Sequence, residues 1–330
     1  LHENDCFKDK IKIIRMTLIK FISGIRGTIG GRVGEGLTPI DAVKFAAAYG
    51  TWLQKRNNAK KLIVVMGRDA RISGPIINKL VASTLRSLGI SIIDCGLSTT
   101  PTIEMAVVFE KAHGGIILTA SHNPKQWNAL KLLNERGEFL SGKDGEEVLA
   151  IAENDDFDFA EVDFLGKLKK NETALDQHIS AILKLPYVDV KAIQKADFKI
   201  VVDAVNSSGG IAVPKLLAAL GVKDPILIHC EPTGNFAHNP EPLPAHLTDL
   251  SQAIVDHKAD LGITVDPDVD RLAMVCEDGS MFGEEYTLVA VADYVLSIKG
   301  GATVSNLSST RALRDVTEKH GYSYYASAVG

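Results

Sequence analysis

Two short stretches of the sequence hold residues whose types and spacing could carry out chemistry. The first, GGIILTASHNPKQWNALK, places Ser121 after an apolar run and shortly before Pro124. A serine hydroxyl is a weak nucleophile until a base or a metal ion activates it, and many serines after a strand only complete a turn. This stretch alone therefore leaves two interpretations open, a nucleophile and a turn residue.

The second stretch, TVDPDVDRLAMV, alternates three carboxylates at Asp266, Asp268 and Asp270. Adjacent carboxylates repel one another unless a cation lies between them, and magnesium prefers oxygen ligands. A calcium loop of the EF-hand type is excluded because its sixth position must be glycine, whereas this sequence has Arg271 there. A metal loop is the favoured interpretation, and a solvated acidic turn is the alternative.

A phosphorylated Ser121 would add oxygen ligands to such a metal site, because a phosphate group brings three strong acceptors and negative charge. Basic residues are also available, namely Arg26, Arg68, Arg71 and Lys131. Phosphoryl transfer depends mainly on positioning and on the neutralisation of charge. The serine, the aspartates and these basic residues are therefore candidates for a phosphoryl-transfer site, with Arg68 and Arg71 as contacts to phosphate or substrate.

Strands and helices alternate along the sequence around these residues. Thr38 and Pro39 predict the start of a helix, LIVVM predicts a buried strand that ends before Gly67, and Gly89 predicts the end of a second helix. The alternation predicts an α/β fold with mixed, largely parallel sheets. In such sheets ligands bind beyond the carboxyl ends of the strands, which is where Ser121 lies.

Changes in composition predict the domain boundaries. Residues 1–15 precede Met16, lack periodicity and are expected to be an N-terminal extension. Domain 1 is predicted for residues 16–165 and contains the loop with Ser121, called the serine loop. Domain 2 is predicted for residues 166–278 and ends with the loop that carries Asp266, Asp268 and Asp270, called the aspartate loop. Residues 279–330 predict an incomplete domain 3, because a unit of roughly 50 residues cannot readily close a core of its own.

Composition excludes several classes of partner. The formal net charge of −5 over 330 residues shows no excess of basic residues, so nucleic acid is not expected as a partner. No apolar run reaches the length of a membrane span, so no membrane partner is expected either. The four cysteines are scattered without a CxxC pair, which is typical of the reduced thiols of a cytoplasmic protein.

Together the two stretches resemble the α-D-phosphohexomutases, the family of phosphoglucomutase, phosphomannomutase and phosphoglucosamine mutase. The resemblance runs from ISGIRGT at residues 22–28 to the end of the sequence and includes GRDARISG, TASHNP, DAVNSSGG and DPDVDR. It implies consecutive α/β/α phosphohexomutase domains. The opening pattern FISGIRGTIGGRVGEG favours the phosphoglucosamine mutase branch, with phosphoglucomutase and phosphomannomutase specificity as alternatives. The family's sugar-selecting loop and its fourth domain have no counterpart in this sequence, so we expect weak binding of sugar phosphate.

The resemblance also implies roles for individual residues. Ser121 would carry the transferable phosphate and, with Asp266, Asp268 and Asp270, would bind one magnesium ion per chain. His122 and Asn123 would shape the serine loop, and Arg271 would steady its phosphate. Lys131 and Arg26 would lie around the reacting hydroxyl, with Lys131 as the candidate general base.

The reaction implied by the resemblance consists of two phosphoryl transfers. Phosphoserine 121 would give its phosphate to a hexose 1- or 6-phosphate, and the resulting hexose 1,6-bisphosphate, which also serves as the activator, would reorient and return its other phosphate. The expected partner is a hexose phosphate, and the expected assembly is a monomer or a homodimer. Two other classes remain open, an inactive sugar-phosphate-binding homologue and a metal-dependent phosphatase.

Overall fold

The computed structural model describes residues 16–21, 24–59 and 61–328. The predicted N-terminal extension, residues 1–15, lies outside the described residues. Within them the chain forms an α/β structure with sheets of seven, four and two strands. Six of the ten strand pairs in these sheets are parallel. The predicted α/β class with mixed, mostly parallel sheets is confirmed.

The first unit contains the seven-stranded sheet and four helices. Its strands are β1 (Ile19–Phe21), β2 (Gly24–Thr28), β3 (Ile63–Arg68), β4 (Ser91–Leu97), β5 (Gly114–Leu118), β6 (Trp127–Leu133) and β7 (Leu168–Lys170). Its helices are α1 (Pro39–Arg56), α2 (Gly74–Ser87), α3 (Thr100–Phe109) and α4 (Gly142–Glu153). The strand order is β1-β2-β6-β5-β3-β4-β7. The sheet therefore includes β7, which pairs with β4 although the sequence predicts that domain 2 begins at residue 166.

Helix α1 begins where the sequence predicts it. The Thr38 side chain accepts a hydrogen bond from the Asp41 N–H, and the Asp41 carboxylate accepts one from the Thr38 N–H. This reciprocal pair satisfies two backbone donors that the first turn of a helix leaves free. Pro39, in the first position, already has the backbone φ that a helix needs.

The two faces of the first sheet carry separate cores. Along β5, Ile116 and Leu118 pack with residues of α1, α2 and α4, whereas Ile117 packs with residues of α3. Successive side chains of a strand point to opposite faces, so a run of consecutive apolar residues is needed when both faces are covered. This accounts for the GGIIL run that precedes the serine, and it makes the first unit an α/β/α sandwich.

The second unit contains the four-stranded sheet. Its elements are α5 (Ala174–Ile182), α6 (Val190–Ala196), β8 (Ile200–Asp203), α7 (Gly209–Leu220), β9 (Ile226–Ile228), α8 (Thr248–His257), β10 (Leu261–Val265) and β11 (Leu272–Cys276). The strand order is β11-β10-β8-β9, with β8, β9 and β10 parallel. Val202 packs with residues of α7 on one face, and Val201 with residues of α8 on the other.

A smaller third group of elements follows the second unit. It consists of α9 (Glu284–Ile298), β12 (Thr303–Asn306), α10 (Ala312–Lys319) and β13 (Tyr324–Ser327). The two strands pair in parallel. Among the described residues, no helix has both the length and the apolar character that crossing a membrane requires.

Two loops at strand ends meet where the first and second units join. The serine loop follows β5, and the aspartate loop follows β10. We call the junction between the first and second units the seam. Across it, the Ala70 N–H of the first unit donates to Ser207 Oγ of the second at 3.2 Å. Ser207 Oγ in turn donates to the Pro267 carbonyl at 2.7 Å. These bonds tie the loop after β3 to the aspartate loop, and so they fix one unit relative to the other beside the serine.

We predict that Tyr49→Phe destabilises the protein by about 1 kcal/mol, because a buried hydrogen bond is lost. The Tyr49 hydroxyl is fully buried and contacts the carbonyl oxygens of Leu133 at 2.7 Å and Gly115 at 3.2 Å, next to the strand that leads to Ser121. Urea denaturation measures the free energy of unfolding. Tyr325→Phe, at an exposed tyrosine of β13, is the control, and equal stability of the two variants would contradict the prediction.

Candidate functional site

Ser121 lies in a constrained loop at the end of β5. Its φ is 49°, in the left-handed region, a conformation that costs a residue other than glycine about 1–3 kcal/mol and persists only when the surroundings impose it. The Ser121 N–H donates to Thr119 Oγ1 at 2.9 Å, and Thr119 Oγ1 donates to Asp69 Oδ2 at 2.7 Å. A buried hydrogen-bond chain therefore holds the backbone that presents the Ser121 hydroxyl.

Arg71 holds the same loop from the other side. Its guanidinium is fully buried, and its Nε donates to Asp69 Oδ2 at 3.0 Å. The ring of Phe236, from the second unit, lies 5.1 Å from the guanidinium carbon. The remaining guanidinium nitrogens donate to the carbonyl oxygens of Ser121 (2.6 Å), Asn123 (2.6 Å), Pro124 (2.7 Å) and Trp127 (2.9 Å).

This geometry differs from the phosphate or substrate contact that the sequence predicts for Arg71. Four carbonyl oxygens and one carboxylate face its five N–H donors, which is the full donor capacity of a guanidinium. A buried cation with every donor occupied positions the serine loop and has no donor left for a ligand. In the structure Arg71 is thus a positioning residue.

The aspartate loop brings its carboxylates to the serine hydroxyl. Ser121 Oγ donates to Asp266 Oδ2 at 2.6 Å and lies 3.4 Å from Asp270 Oδ1. The other oxygen of Asp266 accepts the backbone N–H groups of Asp270 and Arg271, each at 3.1 Å. Asp266 and Asp268 are fully buried, and Asp270 is partly exposed. The two predicted motifs therefore form one site.

The charges in this loop shift the pKa values of its carboxyl groups. Burial, followed by repulsion from Asp268 and Asp270, raises the pKa of Asp266 to about 8. Burial acts on Asp268 in the same direction, but Lys131 opposes it and holds the pKa of that carboxyl below its ordinary value. The loop thus concentrates more negative charge than its own residues can balance.

Lys131, on β6, supplies part of the missing positive charge. Its Nζ lies 2.8 Å from Asp268 Oδ2 and 2.8 Å from Asp270 Oδ2. Burial lowers the pKa of this amine, but the two carboxylates outweigh burial and raise it above the ordinary value. In this arrangement Lys131 is a charged ammonium group. It can act as the predicted general base only after it separates from the carboxylates.

The aspartate loop fits a divalent cation. One oxygen from each of Asp266, Asp268 and Asp270 lies within 4.8 Å of the others. Asp268 Oδ1 is buried and has no hydrogen-bond partner among the described residues, and a buried carboxylate oxygen without a partner is costly. Carboxylate oxygens suit magnesium. The loop therefore has the donors and the unbalanced charge that a magnesium ion would satisfy.

Arg26 lies on the open side of Ser121. It is on β2, opposite Ala129 of β6. Together with Ser121 and Lys131 it lines a cavity of about 240 Å³. The arginine predicted near the reacting hydroxyl thus shares a cavity with the serine and the lysine, and this cavity is the space next to Ser121 in which a ligand could bind.

His122, Asn123 and Arg271 surround the serine in different ways. His122 Nδ1 lies 3.4 Å from Ser121 Oγ, and burial, then Arg271, lowers the pKa of the imidazole. The Asn123 N–H donates to the Ala120 carbonyl at 3.0 Å, which shapes the turn. The Arg271 guanidinium lies 3.3 Å from the Glu241 carboxylate. All three residues are at or next to the serine loop.

Arg68 is placed apart from the serine. Its guanidinium donates to the Asp69 carbonyl at 3.0 Å and lines a different cavity of about 510 Å³, together with Asn78 and Asp94. Burial lowers the pKa of the Arg68 guanidinium. Of the predicted basic residues, Arg26 and Lys131 therefore share the cavity beside Ser121, whereas Arg68 and Arg71 do not line it.

Sequence reasoning missed Thr100 and Ser208 as parts of the site. The Thr100 N–H donates to the Asp268 carbonyl at 2.8 Å, and its hydroxyl donates to Asp268 Oδ2 at 2.5 Å. Ser208 Oγ donates to the Pro267 carbonyl at 2.8 Å. Small hydroxyl residues in the STTPT and NSSGG stretches, each at the start of a helix that follows a strand, are the signal that could have indicated them.

Comparisons with known proteins agree with the motifs. A family model described as phosphoglucomutase/phosphomannomutase, alpha/beta/alpha domain I, matches residues 21–159. The corresponding model for alpha/beta/alpha domain II matches residues 176–279. The two models of this one family together match well over half of the chain.

Curated relatives and a solved structure are similar as well. A phosphoglucomutase/phosphomannomutase from Thermococcus kodakarensis is 35% identical over 92% of this chain and 66% of its own length. A protein named "Probable phosphoglucosamine mutase" from Methanopyrus kandleri is 32% identical over 93% of this chain and 65% of its own length. The chain thus spans slightly less than two thirds of these relatives. A phosphoglucomutase/phosphomannomutase family protein from Burkholderia thailandensis superposes with a TM-score of 0.78 at 25% identity, covering 96% of this chain and 66% of that one.

We predict that Asp268→Asn weakens magnesium binding by roughly tenfold or more, because it removes one negative oxygen ligand from a site with three. Isothermal titration calorimetry with magnesium chloride measures the affinity. Asp158→Asn, at an exposed aspartate between α4 and β7, is the matched control. If both variants bind magnesium as the unaltered chain does, the aspartate loop is not the metal site.

Arg71→Lys should loosen the serine loop while leaving the rest of the first unit folded. Lysine keeps the charge but has three donors in place of the five that Arg71 uses. Hydrogen exchange followed by mass spectrometry should show faster exchange in the peptide that contains residues 121–127 and unchanged exchange in α1. Arg136→Lys, at an exposed arginine, should change neither, and unchanged exchange in the 121–127 peptide of Arg71→Lys would refute the positioning role.

Proposed function

The chain belongs to the α-D-phosphohexomutase family, and from this premise we propose that it transfers a phosphoryl group between Ser121 and a hexose phosphate. The proposal extends to interconversion of hexose 6-phosphate and hexose 1-phosphate. Glucosamine phosphate is the first candidate substrate, because several similar relatives are named phosphoglucosamine mutase. Others are named for phosphoglucomutase or phosphomannomutase, so glucose and mannose phosphates are the alternatives.

One contact carries this proposal. Ser121 Oγ lies 2.6 Å from Asp266 Oδ2, across the seam between the two units and from a residue 145 positions away in the sequence. A buried serine hydroxyl directed at a cluster of carboxylates has no purpose in ordinary packing, since burying unbalanced charge is costly. It is, however, the arrangement that a phosphoserine and a cation would complete.

The chain's own residues have distinct parts in the transfer. One magnesium ion held by Asp266, Asp268, Asp270 and an oxygen at Ser121 would supply positive charge that neutralises the leaving serine oxygen. Asp69 and Thr119 keep the serine backbone in place. Through its bond to the Ser121 carbonyl, Arg71 keeps the loop from moving as the phosphate leaves.

The groups in the cavity handle the substrate hydroxyl and its proton. We assign to Arg26, which lines the cavity beside Ser121, the attraction of an incoming hexose phosphate, and to Arg271 the steadying of the phosphate on Ser121. In the forward transfer the P–O bond to Ser121 breaks, a P–O bond to the sugar hydroxyl forms, and the proton of that hydroxyl goes to a base. Lys131 is the proposed base, and it accepts this proton as the neutral amine, after it has separated from Asp268 and Asp270 and its own ammonium proton has passed to solvent.

The product of the first transfer is a hexose 1,6-bisphosphate, whose other phosphate returns to Ser121 after the sugar reorients. The bisphosphate is therefore also the compound that would load an unphosphorylated chain. We place the activity in the cytoplasm, where free thiols persist, because Cys95, Cys230 and Cys276 are unpaired among the described residues. Whether the enzyme works as a monomer or as a homodimer does not alter the chemistry of a site built from one chain.

The deciding experiment incubates the purified chain with magnesium and glucose 1,6-bisphosphate and then measures its intact mass and maps the modified peptide. We expect one phosphoryl group on Ser121. Ser121→Ala should take up none, and Ser180→Ala, at an exposed serine, should be loaded like the unaltered chain. Isomer formation from glucosamine, glucose and mannose 6-phosphates then ranks the three sugars.

Each other outcome has a defined meaning. Release of inorganic phosphate without isomer formation would indicate a metal-dependent phosphatase. Binding of the bisphosphate without loading of Ser121 would indicate an inactive sugar-phosphate-binding homologue. A phosphoryl group on a residue other than Ser121 would overturn the proposed mechanism.

A further inference from the structure

A second cluster of metal-ligating side chains lies in the second unit, away from Ser121. Asp203 is the last residue of β8, His229 follows the end of β9, and His238 lies in the loop between β9 and α8. Strands β8 and β9 are parallel neighbours with Asp203 opposite Ile228. Their carboxyl ends therefore bring Asp203 and His229 together, and the loop folds back to add His238.

The three side chains converge on a single oxygen. Asp203 Oδ2 lies 3.0 Å from His229 Nδ1 and 3.0 Å from His238 Nε2. One ligand atom from each of the three residues lies within 4.8 Å of the others. Ligands of a tetrahedral zinc ion, with bonds of about 2.0–2.1 Å, lie about 3.3 Å apart. Only a small outward movement of the two rings would therefore make room for such an ion.

The outer nitrogen of His238 lies at hydrogen-bond distance from an oxygen acceptor, and that of His229 lies somewhat farther from one. His238 Nδ1 lies 2.8 Å from the Asn239 carbonyl oxygen, and His229 Nε2 lies 3.6 Å from a carboxylate oxygen of Asp249. Histidines that bind metals commonly donate their second N–H to a carbonyl or a carboxylate, which sets the tautomer. In that tautomer the inner nitrogens direct their lone pairs at the Asp203 carboxylate.

When both inner nitrogens carry lone pairs, these repel the carboxylate at this distance, and positive charge between them removes the repulsion. Protons on the rings are one source of that charge. Burial lowers the pKa of the His238 imidazole, but Asp203 outweighs burial and raises this pKa above its ordinary value. A metal ion is the other source. Asp203 is fully buried, whereas the two imidazoles are partly exposed, so an ion could reach the cluster from the side of the histidines.

We propose that Asp203, His229 and His238 form a second metal site, one that takes zinc and not magnesium. Two imidazole nitrogens and one carboxylate oxygen are a common zinc ligand set, whereas magnesium favours oxygen ligands throughout. The cluster is therefore chemically distinct from the aspartate loop. Zinc binding at these residues does not require the chain to be a mutase.

The site would fix a loop that contacts two arginines of the serine region, Arg71 and Arg271. Between His229 and α8 this loop carries Phe236 onto the Arg71 guanidinium, at 5.1 Å, and Glu241 to Arg271, at 3.3 Å. Metal binding ties its ligands together and stabilises the structure that holds them. Zinc at this cluster would thus stabilise the second unit's side of the seam without touching the substrate.

The test uses the tag-free chain, stripped of metal with a chelator and then kept in excess magnesium so that the aspartate loop is occupied. Cobalt(II), a spectroscopic substitute for zinc, is titrated in, and zinc is then added in competition. We expect one equivalent of cobalt with the visible absorption of a tetrahedral site that contains nitrogen ligands, and its displacement by one equivalent of zinc.

Variants locate the site. His238→Gln and His229→Gln each offer Asp203 an N–H donor but remove a nitrogen ligand, so each should lose the cobalt absorption and bind zinc roughly tenfold more weakly or worse. His257→Gln, at an exposed histidine of α8, should behave like the unaltered chain. Absence of the absorption from the unaltered chain, or its persistence in His238→Gln, would overturn the proposal and leave the cluster as protonated imidazoles on a carboxylate.

A measurement on the unaltered chain guards against variants that fail to fold. Long-range proton–nitrogen NMR spectra of the imidazole rings report each ring nitrogen separately. Addition of zinc should shift Nδ1 of His229 and Nε2 of His238 and leave the ring of His257 unchanged. Unshifted inner nitrogens at saturating zinc would refute the site.

Discussion

The structure around the serine depends on one electrostatic constraint, the burial of neighbouring carboxylates. Asp266 and Asp268 have no solvent exposure, and ionised groups in that position are destabilising by several kcal/mol each unless positive charge is supplied. Lys131 approaches from β6, Thr100 donates from the start of α3, and Ser121 donates from the end of β5. Each of these partners comes from the first unit. The buried carboxylates of the second unit are therefore stabilised by groups on the other side of the seam.

In the proposed phosphoryl transfer, the same constraint would make the position of one unit relative to the other part of the chemistry. Phosphoryl transfer requires reacting atoms to be held about 3–3.5 Å apart and aligned. Ser207 bonds both Ala70 of the first unit and Pro267 of the aspartate loop. The backbone of Asp268 is held by the Thr100 N–H. Short polar contacts on both sides of the aspartate loop thus limit sliding between the units, which a purely apolar seam would permit more readily.

Sequence reasoning succeeded where the determining interactions are local. The start of α1 follows from Thr38, Pro39 and Asp41, which lie next to one another in the chain, and the α/β class follows from alternating patterns. It also anticipated the aspartate loop as an oxygen-ligand cluster. The sequence could not predict where the Arg71 guanidinium points, because the four carbonyl oxygens that accept its hydrogen bonds come together only in the folded loop. The same limit applies to Lys131, whose raised pKa depends on carboxylates more than 130 positions away.

The contact of Phe236 with Arg71 has a consequence for how the protein is made. The two residues are separated by 165 positions, 71 subtracted from 236, and a ribosome adds about 5–20 residues per second. For on the order of ten seconds or more after Arg71 is synthesised, its guanidinium therefore has no aromatic cover and stays open to water. A nascent chain that has completed only its first unit lacks the finished surroundings of Ser121, so the serine loop matures during translation of the second unit.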